Sequence, residues 1–234
     1  MIGQHPQTSS VEFTAADGTQ KAVTVRYLLY LPDTYGRDAE VRWPLLVFLH
    51  GRGERGEDVS LLTKHPLPET LATRTDFPFI VVSPQLPGEL QSWTSMIGPL
   101  NALIDEVEGR YATDPSRRYL TGLSLGGFGA WEFALRFPRR FAAVVPIAGG
   151  LSFGTRTVPS RISDLKDLPI WAFHGALDQT VPCWQSEVLV TALGACGSDI
   201  RFTRYEDGDH EAAWRRAYVD PELYRWLLDH SLAR

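Results

Sequence analysis

The segment Gly122-Leu123-Ser124-Leu125-Gly126 decides how this chain folds, because it joins an apolar strand to a helix through a serine between glycines. Residues 118–122 predict a short strand, and residues 126–137 predict a helix that Pro138 ends. In this setting G-x-S-x-G predicts a tight, strained turn that lifts the serine hydroxyl above the sheet. The glycines are needed because neighbouring elements must approach the turn closely. Ser124 is therefore the candidate nucleophile.

Strands and helices alternate along the chain, which predicts an α/β fold: a mostly parallel central sheet with helices on both faces. Strands are predicted at residues 23–31, 44–50, 79–83, 118–122, 142–147, 169–173 and 200–205. Helices are predicted around residues 100–107 and at 126–137, 185–193 and 221–232. We expect a single domain, 1–234. The irregular stretch 149–168 is too short for a separate cap domain, so an open site is expected.

Two polar side chains follow later strands at the edge where the serine is expected. A serine hydroxyl is a weak nucleophile until a base removes its proton. Asp178 comes after the strand at 169–173, and His210 comes after the strand at 200–205. Loops that follow parallel strands meet at one edge of the sheet, so we expect Ser124, Asp178 and His210 to meet there as nucleophile, acid and base. Activity should need neutral His210 and fall in acid.

Other acids and histidines are weaker candidates for these roles. Asp209 adjoins His210 and Asp207 precedes it by three residues, and a carboxylate so close along a turn seldom points at its neighbour's ring. His50 is predicted to brace the loop that follows it, and His174 to be a structural hydrogen bonder. The remaining histidines are predicted to be solvated: His5, His65 and His230.

The glycine-rich segment His50-Gly51-Arg52-Gly53 follows a predicted strand. Its backbone can direct N–H groups at negative charge that develops on a substrate oxygen. We expect the backbone N–H groups of Arg52 and Leu125 to form an oxyanion hole. Residues 51–56 also match the dinucleotide pattern G-x-G-x-x-G, but Glu54 would place negative charge where a pyrophosphate binds. No cofactor is therefore expected.

The composition is that of an ordinary globular protein, with 44% hydrophobic and 22% charged residues. A formal net charge of −5 without a basic run argues against nucleic acid or an anionic membrane as a partner. Cys183 and Cys196 suit neither a disulfide framework nor a metal site, so no metal is expected. Residues 1–10 lack an apolar signal segment, and no apolar run approaches the ~20 residues of a membrane span. A cytoplasmic protein is predicted.

The quoted segments resemble the phospholipase/carboxylesterase-type serine esterases and the related single-domain feruloyl-esterase and polyester-depolymerase-like hydrolases. The matching segments span nearly the whole chain, in order: 27–32, 48–56, 121–127, 174–178, 208–210 and 221–226. The resemblance implies the α/β-hydrolase fold and hydrolysis of carboxylic esters. It places the catalytic triad on Ser124, Asp178 and His210 and the oxyanion donors on Arg52 and Leu125. Arg52 departs from the small or apolar residue expected there.

The substrate is less strongly encoded than the reaction. Small to medium acyl esters are expected because no cap domain is predicted, and aromatic acyl esters are expected if tryptophans line the pocket. The substrate-binding candidates are three loop tryptophans near the catalytic edge, with ordinary aromatic packing as an equal alternative: Trp93, Trp184 and Trp214. The Arg52 guanidinium would alter selectivity for acidic or polar esters. Two alternatives stay open, a serine peptidase-like hydrolase and a non-catalytic binding protein on the same fold.

Overall fold

One eight-stranded sheet organises residues 3–15, 17–151 and 154–233, the part of the chain that the computed structural model describes. Its strands are β1 (Gly3–Thr14), β2 (Gln20–Leu31), β3 (Trp43–Leu49), β4 (Ile80–Pro84), β5 (Thr113–Leu123), β6 (Ala143–Ile147), β7 (Trp171–Gly175) and β8 (Arg201–Tyr205). Their spatial order is β1-β2-β4-β3-β5-β6-β7-β8. β1 and β2 pair antiparallel, as do β2 and β4, and the pairs from β4 to β8 are parallel. The predicted mostly parallel sheet is confirmed.

Helices cover both faces of this sheet, as the alternating pattern predicts. They are α1 (Pro66–Leu71), α2 (Ile97–Arg110), α3 (Leu125–Arg136), α4 (Trp184–Ala195), α5 (His210–Val219) and α6 (Pro221–Leu228). The apolar faces of α2, α3 and α4 pack into one hydrophobic core, and those of α1, α5 and α6 pack into the other. Short 3-10 helices lie at Val59–Lys64, Thr94–Met96 and Ser160–Leu165.

The central strands are apolar on both sides because both of their faces are covered. Every residue of β4, β6 and β7 is buried. In β3, Leu45 and Val47 point into one core, whereas Leu46 and Phe48 point into the other. This alternation is the two-residue period of a strand. It explains why the sequence shows continuous apolar runs rather than alternating ones.

Some elements were not predicted from the sequence. β1 is an edge strand with a largely polar sequence, and its apolar signal is confined to a few positions such as the buried Val11. α1 is only six residues long and contains two prolines. α5 begins at His210, which the sequence analysis placed in a loop. α6 ends at Leu228, four residues before its predicted end.

The stretch 149–168 is partly ordered by apolar anchors. Residues 152 and 153 lie outside the described residues. The 3-10 helix Ser160–Leu165 buries Ile162 and Leu165 in the core beside α3 and α4. Within the described part of the chain, none of the helices has the length and apolar character needed to cross a lipid bilayer.

The parallel strands carry the site to one edge of the sheet. β5 ends at Leu123, β7 ends at Gly175 and β8 ends at Tyr205. Because these strands run in the same direction, the residues that follow them emerge together.

Candidate active site

Ser124 occupies a strained backbone turn between β5 and α3. Its φ is 52° and its ψ is −117°, a combination that side-chain-bearing residues rarely adopt. Such a conformation costs about 1–3 kcal/mol and persists only where the surroundings enforce it. The Ser124 N–H donates to the Ile147 carbonyl at 2.9 Å, and the Ser124 carbonyl accepts from the N–H of Phe128 at 3.1 Å. These bonds to β6 and α3 hold the turn in place.

The two glycines of the motif are required by close backbone approaches. A β-carbon on Gly122 would overlap the carbonyl of Gly126, and one on Gly126 would overlap the carbonyl of Leu49 at the end of β3. Any larger residue would push α3 away from the strands. The glycine spacing in the sequence therefore reports how tightly the turn packs.

Ser124, His210 and Asp178 form a continuous hydrogen-bonded chain. Ser124 Oγ lies 2.9 Å from His210 Nε2, and His210 Nδ1 lies 2.5 Å from Asp178 Oδ2. The Asp178 side chain is fully buried, whereas that of His210 is 17% exposed. Since a carboxylate only accepts hydrogen bonds, Nδ1 carries the proton and Nε2 can accept the proton of the serine hydroxyl. The three residues expected from the sequence to meet at this edge therefore lie in contact.

Several donors converge on the Asp178 carboxylate. Oδ1 accepts from the N–H groups of Thr180 at 2.9 Å and Val181 at 2.8 Å, and Oδ2 is 3.2 Å from His174 Nε2. Burial raises the pKa of the carboxyl, but the hydrogen bonds from His174, His210 and the Val181 N–H outweigh burial and hold the pKa well below its usual range. Asp178 is therefore ionised.

The two competing aspartates are occupied elsewhere. The Asp209 carboxylate caps α5 by accepting from the Ala212 N–H at 2.8 Å. Asp207 forms a two-point ion pair with Arg216, with N···O distances of 2.6 and 3.0 Å. This geometry agrees with the sequence-based preference for Asp178 as the partner of the histidine.

The loop after β3 lies against the serine turn. A β-carbon on Gly51 would lie 3.7 Å from Ser124 Cβ, so this loop and the turn are in contact. Leu125 is the first residue of α3, so its N–H has no acceptor within the helix. Among the described residues, none accepts a hydrogen bond from the Arg52 N–H. Arg52 and Leu125 border the same cavity as Ser124.

His50 braces this loop, as predicted from the sequence. Its Nε2 accepts from the Leu86 N–H at 2.9 Å, so its Nδ1 carries the proton and donates to the Gly51 carbonyl at 2.6 Å. The ring is completely buried, and burial lowers the pKa of His50 to about 4. The Trp93 indole N–H donates to the His50 carbonyl at 3.2 Å. His50 is therefore a neutral structural link between two loops.

The prediction that His65 is solvated is wrong. Its side chain is 13% exposed, and Nε2 lies 2.7 Å from Glu54 Oε2. The imidazole also meets the Trp214 indole edge-on, with ring centroids 6.1 Å apart. Burial raises the pKa of the Glu54 carboxyl, but the contacts with His65 and His50 prevail and lower it. In the sequence, the only indication of the contact between His65 and Glu54 is that Glu54 is an acidic residue within a glycine-rich segment.

A cavity of about 400 Å³ opens beside Ser124. Its apolar wall consists of Leu125, Phe128, Leu151 and Val181. Its polar residues are Arg52, Gln91, Ser92, Thr94, Thr180 and Glu132. The Thr94 hydroxyl donates to Glu132 at 2.6 Å, which fixes that carboxylate at the cavity wall.

The structure corrects the expectation that three tryptophans line this cavity. Trp93 is 1% exposed and packs on Gly129 and His50 beneath the loop. Trp184 lies in a different surface depression, under the guanidinium of Arg156. Trp214 packs against His210 and borders a separate depression that His210 also lines. Trp184 and Trp214 lie in α4 and α5 rather than in loops as predicted, and the alternative of ordinary aromatic packing describes Trp93 best.

The segment 51–56 forms a loop that hydrogen bonds hold against the rest of the protein. The Gln85 side-chain amide donates to the carbonyls of Glu54 and Asp58, both at 2.8 Å. The Glu54 carboxylate points inward at His65, so this loop does not present the open backbone cradle of a phosphate site. In the described residues there is no group of three or more metal-binding side chains.

The family model for phospholipases and carboxylesterases matches residues 77–217, more than half of the chain, including Ser124, Asp178 and His210. The chain belongs to the phospholipase/carboxylesterase family. This membership confirms the resemblance, the α/β-hydrolase fold and the prediction of a carboxylic ester hydrolase.

Relatives of this esterase family agree with that assignment. A probable feruloyl esterase C from Aspergillus oryzae is 27% identical, with 86% of this chain and 81% of the relative covered. A poly(3-hydroxyalkanoate) depolymerase C from Paucimonas lemoignei is 29% identical, with 44% and 31% covered. The crystal structure of a thermostable esterase superposes with a TM-score of 0.73 at 32% identity, covering 96% of this chain. This chain spans 63% of that esterase.

Proposed function

We propose that Ser124, His210 and Asp178 are the catalytic triad with which this protein hydrolyses carboxylic esters. The observation that carries the proposal is the chain of contacts from the serine hydroxyl through the imidazole to a buried carboxylate. The strained serine turn at the start of α3 supports it, because it directs the hydroxyl toward His210 and the cavity.

The proposed reaction passes through an acyl-enzyme. Ser124 Oγ attacks the ester carbonyl while His210 Nε2 takes its proton, and the C=O π electrons move to the oxygen. When the tetrahedral intermediate collapses, the C–O bond to the alcohol breaks, and His210 gives its proton to the leaving alkoxide. Water then attacks the acyl-enzyme with His210 again as base, releasing the acid and restoring Ser124. Asp178 stabilises the imidazolium formed in each half-reaction.

The proposed oxyanion hole consists of the backbone N–H groups of Arg52 and Leu125. Both residues border the cavity at Ser124, and the Leu125 N–H lies at the positive end of α3. A preorganised donor of this kind is worth roughly 2.7–4 kcal/mol of transition-state stabilisation. The hydrogen bond from His50 Nδ1 to the Gly51 carbonyl supports this role, because that carbonyl and the Arg52 N–H belong to the same peptide group.

Small to medium or aromatic acyl groups are the proposed substrates. A cavity of about 400 Å³ with an apolar wall can enclose a short acyl chain or one aromatic ring. Phe128 and Leu151 in that wall would contact such a group. The feruloyl esterase name of several relatives supports the aromatic choice.

Hydrolysis of p-nitrophenyl esters tests this proposal. The series runs from acetate to decanoate and includes an aromatic acyl ester, with peptide p-nitroanilides as amide substrates. Wild type should prefer short or aromatic acyl esters over amides. Ser124→Ala should lose activity by at least about 1,000-fold. Ser163→Ala, at an exposed serine that borders a different depression, is the matched control and should retain full activity.

Each alternative has its own outcome in this experiment. Faster turnover of amides than of esters would favour a peptidase. A folded wild type without activity on any ester would favour a binding protein. Undiminished activity of Ser124→Ala would reject the proposed nucleophile.

A further inference from the structure

His174 is a completely buried histidine in β7 that the proposed mechanism does not use. Its Nδ1 lies 2.7 Å from Ser186 Oγ in α4. Its Nε2 lies 2.8 Å from the Val181 carbonyl oxygen and 3.2 Å from Asp178 Oδ2. Both ring nitrogens therefore have close polar partners.

The hydrogen atoms at these contacts can be counted. A carbonyl and a carboxylate only accept hydrogen bonds, so the side of the ring that faces Val181 and Asp178 requires a proton on Nε2. Ser186 has a single hydroxyl hydrogen, and its Oγ lies 2.8 Å from the Gly149 carbonyl, which again can only accept. If Ser186 donates to Gly149, its oxygen must accept from His174 Nδ1. Both nitrogens then carry protons.

A neutral ring would leave one of these contacts unmade. With a proton only on Nε2, the Ser186 hydroxyl would have to donate to Nδ1. Its oxygen would then face the Gly149 carbonyl oxygen at 2.8 Å with no hydrogen between them. Two buried acceptors in contact are unfavourable because neither replaces the hydrogen bond it had in water. The doubly protonated ring satisfies every contact.

We propose that His174 is an imidazolium at neutral pH and is a positioning residue of the triad, acting through the charge it places against Asp178. This inference rests on the proposed roles of Ser124, His210 and Asp178. A buried cation requires a charged partner, and the buried carboxylate 3.2 Å away provides one.

The positive charge on His174 lies where it affects the protonation of His210. His174 Nε2 and His210 Nδ1 approach the same oxygen, Asp178 Oδ2. A lone carboxylate would strongly favour the protonated form of His210, which cannot act as a base. The His174 cation offsets that field, so His210 remains neutral, and able to take the Ser124 proton, down to a lower pH. His174 also contacts Oδ2 of the Asp178 carboxylate, whereas the Val181 N–H donates to Oδ1.

Other charged groups around the site lie on α5, on α4 and across Trp214. Asp209 and Glu211 are at the exposed start of α5, and Asp209 is engaged in capping that helix. Across Trp214, His65 is paired with Glu54. On α4, Glu187 pairs with Arg204 at 3.3 Å and is contacted by the Cys183 thiol at 3.6 Å. These groups remain the same in the variants that follow.

Nitrogen NMR of the wild-type protein tests the protonation state without reference to activity. With ¹⁵N-labelled histidine, an imidazolium shows two protonated ring nitrogens, whereas a neutral ring shows one that lacks a proton and resonates at a very different shift. The His174 signals are those that disappear in His174→Gln and that shift in Ser186→Ala. Two protonated nitrogens at pH 7.5 are expected. One unprotonated nitrogen in His174 would overturn the proposal.

The pH profile of kcat/KM tests the consequence. Gln at position 174 keeps an amide donor for Val181 and Asp178 but removes the charge. The acid limb, which reports the catalytic base, should move up by about one pH unit in His174→Gln. Ser186→Ala removes the hydrogen-bond acceptor of His174 Nδ1 and should also move the acid limb to higher pH. His230→Gln, which changes a histidine beside the Trp226 carbonyl, is the control and should leave the limb in place.

An acid limb that is the same in His174→Gln, Ser186→Ala and wild type would contradict the role through charge, even if kcat fell. The NMR result separates this inference from the proposed function. If Ser124→Ala remained active, the triad would be rejected while the proton count on His174 could still stand. If the triad held and His174 were neutral, only this inference would fail.

Discussion

The indole of Trp214 packs edge-on against the imidazole of His210, with ring centroids 4.8 Å apart and planes at 87°. His65 contacts the same indole, and Glu54 holds His65. The loop that carries Arg52 is thus connected to the proposed base through a row of packed side chains. Trp214 supports the ring and lies outside the cavity beside Ser124.

Replacing Trp214 should therefore lower turnover without changing acyl selectivity. In Trp214→Ala the His210 ring loses its support, and misplacement of a catalytic group can cost up to about 100-fold in rate. Trp214→Phe keeps an aromatic edge and should lose less. The measurement is kcat and KM over the p-nitrophenyl ester series. A changed chain-length preference with unchanged kcat would instead mean that Trp214 lines the substrate site.

Gly126→Ala should abolish the properly folded site, because its β-carbon would overlap the carbonyl of Leu49. Gly109→Ala is the matched control, since Gly109 lies exposed in α2 with no atom near its would-be β-carbon. That control should be more stable by up to about 1 kcal/mol, because alanine favours helix. Urea unfolding and esterase activity report both effects. Normal activity and stability in Gly126→Ala would show that the turn is looser than described.

The free energy of unfolding should decrease as the pH is lowered below 6.5, because the folded protein keeps His50 neutral. Burial lowers the pKa of His50 from 6.5 to about 4. Between these values the unfolded chain binds more protons, so the free energy of unfolding decreases as pH falls, by about 3 kcal/mol in total. Urea unfolding at several pH values from 7.5 to 4.5 measures this slope. His50→Gln should show a flatter dependence, and an identical slope would show that His50 is not responsible.

The Arg52 side chain should tune substrate charge rather than catalysis. Its guanidinium is exposed at the cavity, whereas the nearby Arg55 is held by the Leu90 carbonyl and Gln91. In Arg52→Gln, kcat/KM for an ester with a carboxylate on its acyl chain should fall two- to fivefold relative to a neutral ester. This corresponds to the loss of roughly 0.4–1 kcal/mol, the size of an interaction between two exposed charges. Glu132→Gln should change this ratio in the opposite direction. Equal ratios in all three proteins would show that neither charge contacts the acyl group.

The fold and the meeting of three side chains were predictable because both depend on backbone requirements that are visible in sequence. Apolar runs define the buried strands, and Gly122 and Gly126 mark a turn that no other residue fits. Once the strands are parallel, the residues after β5, β7 and β8 must emerge at one edge. The order of Ser124, Asp178 and His210 along the chain then suffices to predict that they meet.

The support around these residues was not predictable in the same way. The bonds of His174 to Ser186 and the contact of His65 with Glu54 join segments whose relative positions follow only from the packed structure. Likewise, Trp93 lies in a loop near the site, but its ring turns inward onto Gly129. β1 was not predicted from the sequence because an edge strand needs few apolar residues.

Mass spectrometry after exposure to a fluorophosphonate probe tests the central claim most directly. The probe bonds covalently to an activated serine, and peptide mapping locates it. One adduct per chain is expected, on Ser124. It should be absent in Ser124→Ala and form much more slowly in His210→Gln, where the base is lost. Failure of the folded wild-type protein to react, or an adduct on a different serine, would contradict the assignment of Ser124 as the nucleophile.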